Sequence, residues 1–194
     1  MGRKPNTEQR RAQIADALLA VMAEKGYEGA SIQAIARQAG LAPGLVHYHF
    51  KSKQQILLAA VERLVAAAGA RFEASASKAK SPDDKLRALV HARLALGEGE
   101  DRRAVAAWVM IGAEAVRQLE VREVYQAVMA DQMALIAGLL ADCGVRPKKV
   151  ARDKAATLLA MMEGMYQLSS AAGAAVPEGY AEKAALEYLA AVIG

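Results

Sequence analysis

Residues 40–53, Gly40-Leu41-Ala42-Pro43-Gly44-Leu45-Val46-His47-Tyr48-His49-Phe50-Lys51-Ser52-Lys53, set two strong helix breakers beside a cluster of polar-tipped rings and close on two lysines. Proline is tolerated where its missing N–H has no helical partner, so Pro43 predicts the first turn of a short helix. Val46 and Phe50 stand four residues apart and predict its inward face. Pro43, Gly44, His47 and Tyr48 then point outward, with Leu45 at the edge. Gly44 costs about 1 kcal/mol of helix propensity relative to alanine, but it lets another molecule approach the helix backbone closely.

The flanks give this helix a context. Ser31 reads as the N-cap of a preceding short helix whose apolar face is Ile32, Ile35, Ala36 and Ala39, stopped by Gly40. Before it, Ile14, Leu18, Val21 and Met22 recur at helical spacing, predicting an amphipathic opening helix that starts after a cap at Thr7 and stops at Gly26. Two short helices joined by a tight Gly40-Leu41-Ala42 turn are a means of placing one helix in the DNA major groove. Charge agrees. Residues 1–53 carry eight Lys/Arg against four Asp/Glu, whereas residues 54–194 carry seventeen of each, so the whole excess of +4 lies where a polyanion would seek it. Lys53, near the start of the following helix, is placed for a phosphate, and Arg3 and Lys4 form a basic arm that predicts further phosphate contacts. Ser31 and Gln33 complete the expected DNA contacts.

Helical periodicity continues along the chain, and strand signals are almost absent. A longer helix follows Ser52, with Ile56, Leu57, Ala60, Leu64 and Ala67 inward. Ser81-Pro82-Asp83-Asp84 is a strong helix start, with a cap, a proline at the first position and acids on the positive end of the dipole. Gly97 and Gly99 predict a break, followed by helices over about 102–119 and 120–143, the latter ended by Gly144. Pro147 opens a helix to about residue 174, and Pro177-Glu178-Gly179 leads into a last helix ending near Ile193. The expectation is an all-α protein of about nine helices, with a three-helix head over residues 1–53 and a helical bundle over 54–194.

At these residues the sequence resembles the TetR family of bacterial transcriptional regulators. The resemblance covers residues 8–60 and rests on Gly26-Tyr27, Ser31-Ile32, Ile35-Ala36, Ala39-Gly40-Leu41, Tyr48-His49-Phe50-Lys51-Ser52-Lys53 and Leu57. His47 replaces the first of the family's paired tyrosines, and Pro43 replaces a common Lys or Arg early in the recognition helix. Both changes lie on the reading face and bear on which bases are read. The resemblance implies a homodimer built from the last two helices, here residues 155–176 and 181–193, whose Ala, Gly and Ser permit close approach while Leu158, Leu159, Met162, Leu189 and Ile193 supply apolar area. Two opposed heads then suit a palindromic site. It also favours a ligand cavity in the body.

Composition narrows the remaining classes. A single cysteine, Cys143, excludes an internal disulfide and suits a reducing compartment. The polar, basic N-terminus is unlike a secretory signal, and Asn6 stands where a myristoylation motif needs Ser or Thr. The most membrane-like stretch, residues 155–176, carries Glu163, Gln167, Ser169 and Ser170, which predicts a core or interface helix in a cytoplasmic protein. No nucleophile elbow, phosphate loop or metal-binding helix motif appears. His47 and His49 lie two apart on a helix and cannot readily share one ion. Neither enzyme activity, a metal site nor a cofactor is expected. His91, Trp108, Met110, Tyr125, Met129, Met133, Met162 and Tyr166 either pack the core or line a cavity for an apolar or amphipathic ligand. The reading is a DNA-binding regulator, expected to be a repressor released by such a ligand; the alternative is a helical carrier of an apolar ligand without DNA binding.

Overall fold

The computed structural model describes residues 4–94 and 102–194, with side chains for residues 7–94 and 104–194. Among the described residues there are nine α-helices and no strand: α1 (Lys4–Gly29), α2 (Ile32–Ala39), α3 (Pro43–His49), α4 (Lys53–Ala76), α5 (Pro82–Leu94), α6 (Arg102–Ala115), α7 (Leu119–Asp142), α8 (Lys148–Ala171) and α9 (Tyr180–Ile193). A short 3-10 helix, Gly173–Ala175, follows α8. The break expected at Gly97 and Gly99 lies outside the described residues.

Local chemistry sets most boundaries. The Ser31 hydroxyl accepts from the Ala34 N–H at 3.2 Å, capping α2. Gly40 closes that helix in the left-handed conformation (φ 65°), with Leu41 N–H bonded to Ala36 O and Gly40 N–H to Arg37 O, a Schellman ending. Pro43 occupies the first position of α3 as expected. Ser81 and Asp84 cap α5 reciprocally: the Asp84 N–H reaches the Ser81 hydroxyl, and Asp84 Oδ2 accepts from the Ser81 and Lys80 N–H groups. Thr7 does not cap α1, which already runs at Lys4. Gly26 interrupts that helix with φ 68° and ψ 174°.

The chain forms two compact units, residues up to Ala66 with Met110–Tyr125, and Ala67–Val109 with Gln126–Gly194. The division falls beyond residue 53, and the end of α6 and start of α7 join the head. In the first unit Ile14 and Leu18 of α1, Ile35 of α2, Val46 of α3, and Ile56 and Leu57 of α4 are completely buried. In the second, α5, α8 and α9 pack on one another, and Leu86, Leu89, Ile136, Leu140, Leu158 and Leu189 share one apolar core. Each such side chain contributes about 1.5–3 kcal/mol by leaving water. Leu158 and Leu189 are therefore core residues of the protomer, not free interface area. Among the described residues the helix long and apolar enough to cross a membrane is α7, not the 155–176 stretch. Its Val121, Ile136, Leu139 and Leu140 are buried within the protein.

Candidate nucleic-acid interface and ligand-binding core

On α3, Val46 and Phe50 anchor the helix, and Pro43, Gly44, Leu45, His47 and Tyr48 are exposed, Tyr48 by 74%. A Cβ built on Gly44 would meet nothing within 4 Å, so this glycine answers no packing need inside the protein. Arg11 fixes the far end of the helix: its Nη1 donates to the His49 carbonyl at 2.6 Å, and its guanidinium lies 4.1 Å above the Phe50 ring. Burial, then the charges of Arg11 and Arg10, hold the His49 imidazole below its ordinary pKa. The His49 ring meets Tyr48 edge-on at 5.1 Å, which supports the exposed phenol from one side. Ser31 and Gln33 are exposed at the start of α2. Arg3 lies outside the described residues, and Lys4 is the first residue of α1.

Lys53, expected to meet a phosphate, has partners within the head. Its Nζ donates to the Tyr27 carbonyl at 2.6 Å and sits 4.1 Å over the Tyr27 ring, and burial lowers its pKa. This ammonium fastens the start of α4 to the end of α1. Lys51, two residues earlier, is exposed. The same tyrosine reaches further: its hydroxyl donates to Glu120 Oε2 at 2.9 Å, and burial followed by Glu120 raises its pKa. Gln118 Nε2 donates to Glu28 Oε1 at 2.8 Å. The turn between α6 and α7 is thus tied to the tip of α1. Neither Arg11 nor Tyr27 stands out in the sequence as a positioning residue, because their partners lie 38 and 93 positions away.

The eight expected ligand residues are divided between the two units. Met110 and Tyr125 belong to the first unit. His91 is exposed, its Nδ1 2.8 Å from Glu182 Oε1, and Met129 is half-buried on α7. Met162 and Tyr166 are buried in the core of the second unit, with Trp108 and Met133 packed against it. The second unit also holds polar pairs the sequence had not singled out as a set. The Trp108 indole N–H faces both oxygens of Glu163 at 3.2 and 3.1 Å. Arg93 Nη2 donates to Gln132 Oε1. Met133 also lines a groove of about 430 Å³ along α7 and the start of α8, bounded by Gly138, Ala141, Lys148 and Arg152. Among the described residues, no group of three His, Cys, Asp or Glu side chains could hold a metal.

Comparison with known proteins matches the two parts of the chain to separate family descriptions. Residues 14–60 match the bacterial regulatory proteins of the tetR family, and residues 82–194 match the C-terminal domain of BetI-type transcriptional repressors. The HTH-type transcriptional regulator BetI of Rhizobium meliloti is 31% identical over 81% of this chain and 76% of its own length. A transcriptional regulator from Rhodococcus sp. Rha1 has the same fold at a TM-score of 0.77 and 26% identity, covering 94% of this chain and 95% of that one. A regulator from Saccharomonospora viridis, solved in complex with choline, superposes at 0.75 with 23% identity over 94% and 96% of the two chains. With a head that presents one short helix outward and a C-terminal half matching BetI-type repressors, the chain belongs to the TetR family of ligand-responsive, DNA-binding transcriptional regulators.

Proposed function

We propose that the protein is a cytoplasmic homodimeric repressor, without enzyme activity, that occupies a two-fold symmetric DNA site and leaves it when a small amphipathic effector binds the body. The observation that carries the DNA half is the outward face of α3, where Gly44 is open and His47 and Tyr48 stand clear of the protein. Pro43, Gly44, Leu45 and His47 face the bases; Tyr48, Ser31, Gln33 and Lys51 meet the backbone, with the arm at Arg3 and Lys4 adding charge. The DNA-reading part ends near residue 53, and the rest of the chain senses and dimerises. Dimerisation uses the solvent sides of α8 and α9.

The effector half rests on the second unit's core, where Trp108, Met162 and Tyr166 offer apolar and aromatic surface and Glu163 offers a carboxylate. A cationic amphiphile suits an aromatic face beside a carboxylate, and the choline complex of the Saccharomonospora viridis regulator supports that chemistry. Such a ligand acts by its differential affinity for the two states, with coupling of about 1–3 kcal/mol. The test is selection of duplexes from a random pool by the full chain. A recovered palindrome whose logo changes in His47→Ala establishes the reading face; recovery of no sequence turns the reading towards a carrier.

A further inference from the structure

We infer that Arg93 and Gln132 form an anion subsite in the second unit that receives a carboxylate of the effector. The inference rests on the reading of this body as the effector domain. Gln132, on α7, is the one buried polar residue among the described ones, at 8% exposure. Its amide oxygen accepts from Arg93 Nη2. The Nε–H of the same guanidinium is buried and has no acceptor. Arg93 is half-buried as a whole, but a guanidinium drawn partly out of water is ordinarily matched by an anion, because desolvating the charge is costly and a neutral amide returns only part of it. Among the described residues its hydrogen-bond partner, Gln132, is neutral.

The position of Arg93 in the last turn of α5 offers a simpler account, since a cation there complements the helix dipole. That account explains the charge, but not why the side chain turns inward to Gln132 or why Nε is left without an acceptor. A bound anion explains both. The planar guanidinium fork matches a carboxylate in particular, and a singly charged planar group suits an apolar core better than a phosphate dianion, whose desolvation would be far more costly. The carboxylate can belong to a plain aliphatic acid, or to a zwitterion whose cationic end meets Glu163 and Trp108.

Isothermal titration of the full chain with straight-chain carboxylates of two to twelve carbons, the matching ω-trimethylammonio carboxylates and the matching alcohols tests this. We expect one carboxylate series to bind at least tenfold more tightly than the alcohols, with the better series identifying the source. Arg93→Gln abolishes that advantage, and Arg93→Lys, which keeps the charge without the fork, restores part of it. Circular dichroism checks that the variants fold. Should Arg93→Gln not fold, Gln132→Met, which removes the amide that steers the guanidinium, reduces the advantage several-fold. The inference is overturned if neither carboxylate series outbinds the alcohols, or if the advantage persists in these variants. Sequence-specific DNA release by alcohols alone would sink the anion subsite and leave the regulator standing, whereas carboxylate binding without any selected DNA would do the reverse.

Discussion

Gly44 sets helix stability against approach to DNA. Because a Cβ there meets nothing within 4 Å, Gly44→Ala should raise the stability of the head by up to about 1 kcal/mol while weakening operator binding on the order of tenfold, 1.4 kcal/mol. Thermal melts and gel shifts on one preparation check both signs; an alanine variant that binds DNA unimpaired removes Gly44 from the interface. Lys53 behaves oppositely. With its ammonium on the Tyr27 carbonyl and ring, Lys53→Met should destabilise the head yet leave the salt dependence of DNA binding unchanged, whereas Lys51→Ala should lower the salt slope by about one unit. A lowered slope in Lys53→Met would restore the phosphate contact read from the sequence. His49 adds a pH dependence. Its folded pKa lies below the ordinary 6.5, so the unfolded chain binds the proton more readily. The head's stability from this residue is complete above about pH 6.5 and is lost as pH falls through the lowered value. His49→Gln should flatten that part of the acid limb in melts between pH 7 and 5.

At the level of elements, what could be read from sequence was what neighbouring residues decide. The caps at Ser31 and Ser81, the left-handed Gly40 and the leading Pro43 involve partners within five positions, and each was legible. The ties around the tip of α1 were not, because nothing local announces that Tyr27 will meet Glu120 or that Lys53 will fold back on Tyr27. Nor does the sequence place the candidate ligand residues: a methionine or aromatic stripe marks burial, but only the fold decides which core it enters. Gly26 combines the two cases. It was legible as a helix stop, while its backbone (φ 68°, ψ 174°) is a region open essentially to glycine, and a Cβ would lie 2.9 Å from Glu114 Oε1. Gly26→Ala should cost about 1–3 kcal/mol in denaturant unfolding. Tyr27→Phe, which removes only the bond to Glu120, should cost about 1 kcal/mol. If Gly26→Ala proves neutral, the close fit between the tip of α1 and the turn after α6 is not present in solution.

For the whole molecule the open step is association. Leu158 and Leu189 are fully buried within the protomer, so charges there would unfold the body and say nothing about a dimer. The solvent side of α8 is different: Ala156, Ala160, Gly164 and Leu168 recur every four residues, all exposed, with Leu168 at 44%. A ridge of small residues at that spacing permits close helix packing, and no Cβ neighbour lies within 4 Å of Gly164. Gly164→Glu should therefore leave helix content intact, since the added side chain enters open space, yet place a charge in the middle of the proposed four-helix contact between copies. We expect the wild-type chain to run as a dimer by light scattering and Gly164→Glu as a folded monomer. The proposed two-fold site would engage both heads of the dimer at once, and a monomer loses that gain in effective concentration. Its affinity for the palindrome should fall by two orders of magnitude or more, on the scale of 10²–10⁴, while its affinity for a half-site stays near that of the wild type. A Gly164→Glu protein that remains dimeric places the contact elsewhere, on the solvent side of α9 or along the apolar groove between α7 and α8.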